Sequence, residues 1–264
     1  MRLLWRRGAG KRHVVFILDP MKTRLAKTVV LAGRILLENG AETHRVEDTM
    51  RRMCEAYGAQ VTDSYVTPGM LMISFSYDGD MVHNMKRTGV KTTDLGKIDA
   101  VNTLSRNVSS LALEELYEQL QKVETSPGPS TGRYSVGAFV AAAGFAALFG
   151  STGVEALAAG WIGGCCAFLL RTWGSRFSSA FQNMAGSAFM TACALACPGL
   201  GLGAQPVLLG ALMILVPGML LTNAIRDIVN GDSISGTSRL AEAIVTAAAI
   251  ALGNLAVLAL RGGV

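Results

Sequence analysis

FSSAFQNMAGSAFMTACALACPGLGLGAQPVLLGALMILVPGMLLTNAI, residues 177–225, contains no Asp, Glu, Lys or Arg. A water-facing surface of that composition would self-associate, so the stretch calls for an apolar surrounding. Pro198 and the glycine-rich run to Pro206 divide it into two segments. Each approaches the ~20 residues needed to cross a hydrocarbon core. Working outward, comparable apolar segments lie at 134–151, 153–170 and 240–260, besides 179–198 and 205–225. The charge distribution follows the same division. The chain has 24 Lys/Arg and 19 Asp/Glu, yet only Glu155, Arg171, Arg176, Arg226, Asp227, Asp232, Arg239, Glu242 and Arg261 lie beyond residue 133.

The fold class expected is therefore a membrane protein: an N-terminal cytoplasmic α+β domain followed by an all-α bundle of five transmembrane helices. Its parts are a basic N-terminal tail (1–21), the α+β domain (22–124), a linker (125–133) and the transmembrane domain (134–264). The linker TSPGPSTG at 125–132 holds two prolines and two glycines, which cannot continue a helix. Connections 171–179 and 226–239 each carry two arginines, while 151–153 and 200–205 carry no charge. The positive-inside rule puts the arginine-bearing connections in the cytoplasm, with the N-terminus inside and the C-terminus outside. At the N-terminus the apolar run Val14–Leu18 is too short for a signal-peptide core. The basic residues crowding the first 24 positions read as a solvated tail or a contact with anionic lipid.

Within the first half, helical spacing of Leu25, Val29, Ile35 and Leu36 predicts a helix over 21–40, with Gly40 as its stop. Val46, Met50, Met53 and Tyr57 predict a second over 43–57, ended by Gly58. Strands follow at 60–65, 70–77 and 81–85, then helices at 94–108 and 110–124. Thr67-Pro68-Gly69 predicts a turn with positive φ at Gly69. A small sheet packed on helices results.

Several function classes find no support. His13, His44 and His83 form no metal-ligand spacing, and no CxxC stands among Cys54, Cys165, Cys166, Cys193 and Cys197. No GxxxxGK[ST] or HExxH occurs, and the GxSxG string at Gly128–Gly132 falls in the proline-bearing linker rather than at a strand-to-helix elbow, so neither an ATP-driven pump nor a familiar hydrolase is implied. Basic residues without interleaved aromatics give no nucleic-acid stripe. No cofactor and no enzyme activity are expected.

Two stretches carry a resemblance. LLENGAETHRVEDTM (Leu36–Met50) resembles the N-terminal signature of the threonine/serine exporter family, and LVPGMLLTNAIRDIVNGDSISGTSRLAEA (Leu215–Ala243) resembles its membrane-domain pattern. The resemblance covers about residues 22–260. It implies proton-driven export of small hydroxylated amino acids; some members are similar to carboxylate exporters instead. The family occurs as one long chain with about ten spans or as two chains. Ending after five spans, this sequence resembles the larger chain of the two-chain form. The resemblance therefore implies a smaller membrane subunit as partner, an oligomer, and residence in the cytoplasmic (inner) membrane. The other classes weighed are a membrane-anchored enzyme or sensor, and a scaffold that only stabilises a transporting partner.

Candidate substrate-binding residues are Pro217, Gly218, Asn223, Arg226 and Asp227. Proline and glycine within a span free backbone groups that can meet a polar substrate, although a simple kink is the plain alternative. Asn223, Arg226 and Asp227 share one helix face. Arg226 suits a carboxylate and Asp227 an ammonium group or a proton, with an interfacial cap and salt bridge as the alternative. Asp227, Glu242 and Glu155 are the proton-coupling candidates. Arg239 is the plain partner of Glu242, and a helix N-terminal charge is the plain role of Glu155. Gln182, Asn183 and Asn254 read equally as interhelical glue or substrate contacts. In the first half, Gly40, Glu42, Arg45 and Glu47 surround the start of the second helix, where they could contact or gate the membrane domain or simply be solvated.

Overall fold

A computed structural model describes residues 2–8, 11–17, 20–89, 92–173 and 176–262. Helices dominate, accompanied by a three-stranded sheet and a two-stranded ribbon. The chain divides into two compact units, Met1–Ser126 with Thr222–Arg239, and Pro127–Leu221 with Leu240–Val264.

The first unit opens with an antiparallel ribbon, β1 (Arg2–Gly8) and β2 (Lys11–Ile17), where the sequence suggested a tail. Pro20 then starts α1 (Pro20–Glu38), a position where its missing N–H costs nothing. Helix α1 is buried on most of its circumference and forms the centre of this unit, with Leu25, Val29 and Leu36 inaccessible. Both α1 and α2 (Thr43–Ala56) end in left-handed glycines, Gly40 at φ 97° and Gly58 at φ 79°. In each case the next residue donates back to the final turn: Ala41 N to Leu36 O at 3.0 Å, Ala59 N to Cys54 O at 3.0 Å.

Strands β3 (Gln60–Thr67), β4 (Met70–Tyr77) and β5 (Asp80–Arg87) form an antiparallel sheet in that order. Asp78 and Gly79, both at positive φ, make the tight β4–β5 turn. At the β3–β4 turn the expectation fails: Gly69 lies outside the left-handed region. That turn is instead braced from the side. Thr88 donates its N–H to Gly69 O at 3.1 Å and its hydroxyl to Pro68 O at 2.8 Å. Helices α3 (Leu95–Arg106) and α4 (Leu113–Thr125) follow, and Phe75, Leu36, Met50, Met53, Ile73 and Leu116 fill the core.

After a non-helical connection at 126–130, the second unit contains α5 (Thr131–Leu148), α6 (Gly153–Trp173), α7 (Ser179–Ala196) and α8 (Ala204–Leu212). Helix α9 (Gly218–Val229) begins in this unit and continues into the first; α10 (Ser233–Leu260) contributes its first turns to the first and the remainder here. Two expectations change. The span drawn at 205–225 is two helices, separated at 213–217 where Pro217 cannot continue a ladder. The last helix starts at Ser233 rather than 240. By length and composition, two helices among the described residues suffice to cross a membrane: α6, 21 residues at mean hydropathy 1.6, and α10, 28 residues at 2.3. Helix α8, with nine residues, rises only about 14 Å.

The second unit is packed inside out relative to the first. Ala142, Ala146, Ala159, Ala194 and Ala211 are among its buried residues, with Met190 and Val207 the larger ones, while Val140, Leu148, Trp161, Trp173, Leu252 and Leu260 are exposed. Small residues set helix spacing: a Cβ on Gly163 would lie 2.7 Å from Ala142 Cβ, and one on Gly210 2.4 Å from Ala146 Cβ. Large apolar side chains outward and methyl groups inward are what a hydrocarbon solvent permits.

Candidate functional site

The corner between α1 and α2 receives the end of α9 and the start of α10, all within the first unit. Helix α9 closes on Gly231 at φ 91°, with Asp232 N donating to Asp227 O at 2.9 Å. Asp232 then caps α10, its carboxylate accepting from Ser235 N at 3.1 Å. The Asn230-Gly231-Asp232 sequence thus stops one helix and starts the next, and Gly236 brings them close: a Cβ there would meet Ala224 O at 2.8 Å.

Across this helical hairpin, Asp227 Oδ2 and Arg239 Nε stand 3.0 Å apart, with side chains 0% and 6% exposed. Neither of these two atoms makes a well-aligned hydrogen bond among the described residues, so charge attraction joins them. Asp227 Oδ1 accepts from Thr43 Oγ1 at 2.9 Å. Arg239 Nη2 donates to Ala41 O at 2.8 Å, and Asn223 Nδ2 donates to Gly40 O at 3.0 Å. A second ion pair joins Arg226 to Glu42, here with the arginine 58% exposed. Glu42 also faces His44 Nε2 at 3.5 Å, and His44 Nδ1 meets Asn230 Nδ2 at 3.2 Å. Two carboxylates, two guanidinium groups and a hydroxyl therefore share one corner. A buried charge unpaired in such a place would be costly, which makes the pairing obligatory.

Five of the candidates named from sequence come together here: Gly40, Glu42, Asn223, Arg226 and Asp227. Arg45 lies exposed on α2. Glu47 accepts from Val66 N at 3.1 Å, and burial pushes its carboxyl above the ordinary range. Val66 O in turn accepts from Ser235 Oγ at 3.3 Å, tying β3 to α10. Pro217 and Gly218 lie at the α8–α9 break, and Glu242 sits half-buried in α10. Arg239, expected beside Glu242, pairs with Asp227. Both oxygens of Glu155 are engaged, by Thr152 N and Gly203 N at 2.7 Å each, the arrangement of a helix capping box. Elsewhere in the second unit, Thr191 Oγ1 bonds Asn254, and Ser187 Oγ donates to Ile250 O at 2.9 Å.

Thr43 and Arg239 were not singled out as members of this group. The Asn-Gly-Asp turn is the signal that could have found Arg239, because it starts α10 early enough to place Arg239 opposite Asp227. The threonine/serine exporter family, ThrE, matches residues 27–261. The chain belongs to this family. It is a family of transporters rather than enzymes, which makes the chain a membrane protein with a small-molecule substrate and lipid around it. Comparison with curated proteins and with solved structures finds no match.

Proposed function

We propose that this chain is the larger subunit of a two-chain secondary transporter that exports threonine- or serine-like amino acids in exchange for protons. The observation that carries the reading is the buried Asp227, held between Thr43 and Arg239 with the Arg226–Glu42 pair beside it. A zwitterionic amino acid presents a carboxylate and an ammonium group, the same pair of charges that these ion pairs hold internally. Substrate carboxylate would exchange for Glu42 on Arg226, and substrate ammonium would bind Asp227. A substrate hydroxyl would take the place of Asp227 on Thr43. Protonation of Asp227 then weakens its grip on both Arg239 and the ammonium group, which couples proton entry to release. Glu242 is the next proton carrier, and Glu155 caps α6. Pro217 and Gly218 open the start of α9, where freed backbone groups serve the substrate path.

The same proposal assigns residues 22–124 to a cytoplasmic domain, 125–133 to a linker and 134–264 to five membrane crossings. It places the N-terminus inside and the C-terminus outside, in the cytoplasmic membrane, with a smaller membrane subunit and an oligomeric assembly. Two guanidinium groups in one corner also favour a second reading, a dicarboxylate clamped between Arg226 and Arg239.

Counterflow of labelled serine into vesicles, with this chain alone and with its smaller partner, tests the proposal. Threonine, serine and dicarboxylates compete in parallel. Asp227→Asn and Glu242→Gln are expected to abolish flux at equal protein level while leaving membrane insertion intact. Undiminished flux in both variants would remove these carboxylates from the mechanism.

A further inference from the structure

Helices α5 and α6 run antiparallel in close contact, with a Cβ on Gly164 meeting Ser135 O at 3.2 Å and one on Gly160 meeting Phe139 O at 3.0 Å. Along this pair lies a groove of about 610 Å³, walled by Val136, Phe139, Trp161, Cys165, Phe168 and Leu169. Its walls are apolar except near Ser135. At that end, α5 begins and α6 finishes, and the character changes within one turn. Arg133 is exposed on the first turn of α5, whose N–H groups point the same way. Arg171 lies 4.9 Å from the Tyr134 ring and donates Nη2 to Pro129 O at 2.6 Å, leaving further donors free of any carboxylate among the described residues. Trp173, two residues after Arg171 at the end of α6, is exposed.

No ion pair joins either cation to a carboxylate among the described residues, and between Glu124 and Asp227 the one acid in the sequence is Glu155, at the opposite end of α6; the unit's other acid, Glu242, belongs to α10. We propose that the groove holds an acyl chain of an anionic phospholipid, with the phosphate seated on Arg133 and Arg171. Apolar walls, a cationic mouth and flanking Tyr134 and Trp173 match the three zones of such a lipid: chain, phosphate and interface. A transmembrane helix in the same groove would have to bring an acid to the cationic mouth, whereas the lipid carries its negative charge at that depth. In the orientation proposed above, this mouth faces the cytoplasmic leaflet, where anionic lipids concentrate.

Trp161 in the groove wall is the reporter. The full chain carrying Trp5→Phe and Trp173→Phe is reconstituted with phosphatidylglycerol and phosphatidylcholine at equal mole fraction, one or the other bearing brominated acyl chains. The expected result is deeper quenching of Trp161 by the brominated phosphatidylglycerol. That excess should disappear in Arg133→Gln/Arg171→Gln, shrink in either single variant, and fall as salt is raised. Equal quenching by both lipids means contact with bulk bilayer only, and quenching by neither means that a protein segment fills the groove. Either outcome overturns the proposal.

Discussion

Asp227 and Arg226 are neighbours in sequence but differ in what their loss should do. Arg239→Gln leaves Asp227 as a buried, unpaired carboxylate, and truncation of a buried pair costs about 3–5 kcal/mol. Denaturant unfolding of the purified chain should register that loss, and adding Asp227→Asn should recover a large part of it. Arg226→Gln breaks a pair whose arginine is 58% exposed while Glu42 is 11% exposed and still faces His44, so the same measurement should move by a smaller amount, about 1–3 kcal/mol. If Arg226 holds substrate, its variant is nevertheless transport-dead, which separates a binding role from a structural one. Glu47 adds a pH dependence. Its carboxyl is raised above the ordinary 4.5, chiefly by burial. The folded state therefore favours the protonated form, and the stability contributed below 4.5 is lost as pH rises through the raised value. Glu47→Gln should flatten that decline, its amide oxygen still accepting from Val66 N. An unchanged slope of unfolding free energy against pH would exclude Glu47 as its source.

At the scale of elements, glycine contacts give opposite predictions for two helix pairs. A methyl on Gly33 would meet the Met50 thioether at 2.5 Å, the end of a flexible side chain that can move aside. On Gly253 it would meet Met184 O and Ser187 Oγ at 2.1 Å, one of them backbone. Gly253→Ala should therefore lower Tm markedly, at a cost on the order of 1–3 kcal/mol, while Gly33→Ala costs less. Equal effects would contradict the packing described.

Which elements were legible in the sequence follows the same logic. Helices α1 and α2 showed their apolar spacing and their terminal glycines, and the sheet its change of period, because local chemistry fixes each of them. The α8–α9 break was marked by Pro217, though its extent back to residue 213 was not. Hydropathy starts the last helix at 240 rather than Ser233, because it measures apolar length and overlooks the polar turns from Ser233 to Arg239. Those turns pack on the α1–α2 corner nearly 200 residues earlier in the chain, a distance that no local pattern reveals. For the same reason Asp227 was legible as a candidate, whereas its partners Thr43 and Arg239 were not.

Over the whole molecule, two solvents leave two kinds of interior. The first unit hides Phe75, Leu25 and Met50; the second hides mostly alanines, with Met190 and Val207, and turns Trp161, Trp173 and many Leu and Val side chains outward. Labelling of single cysteines placed at each terminus should find the two ends on opposite faces of the membrane, and labelling of both from one face would exclude an odd number of crossings.

The alanine and glycine contacts of the second unit have one more effect. Those residues have no rotamers to reset, so at these contacts a small displacement of α5 against α6 or α8 carries little side-chain entropy cost. Where the seam is one methyl thick, at Gly163 against Ala142 and Gly210 against Ala146, it behaves as a bearing, and a single added carbon is enough to seize it.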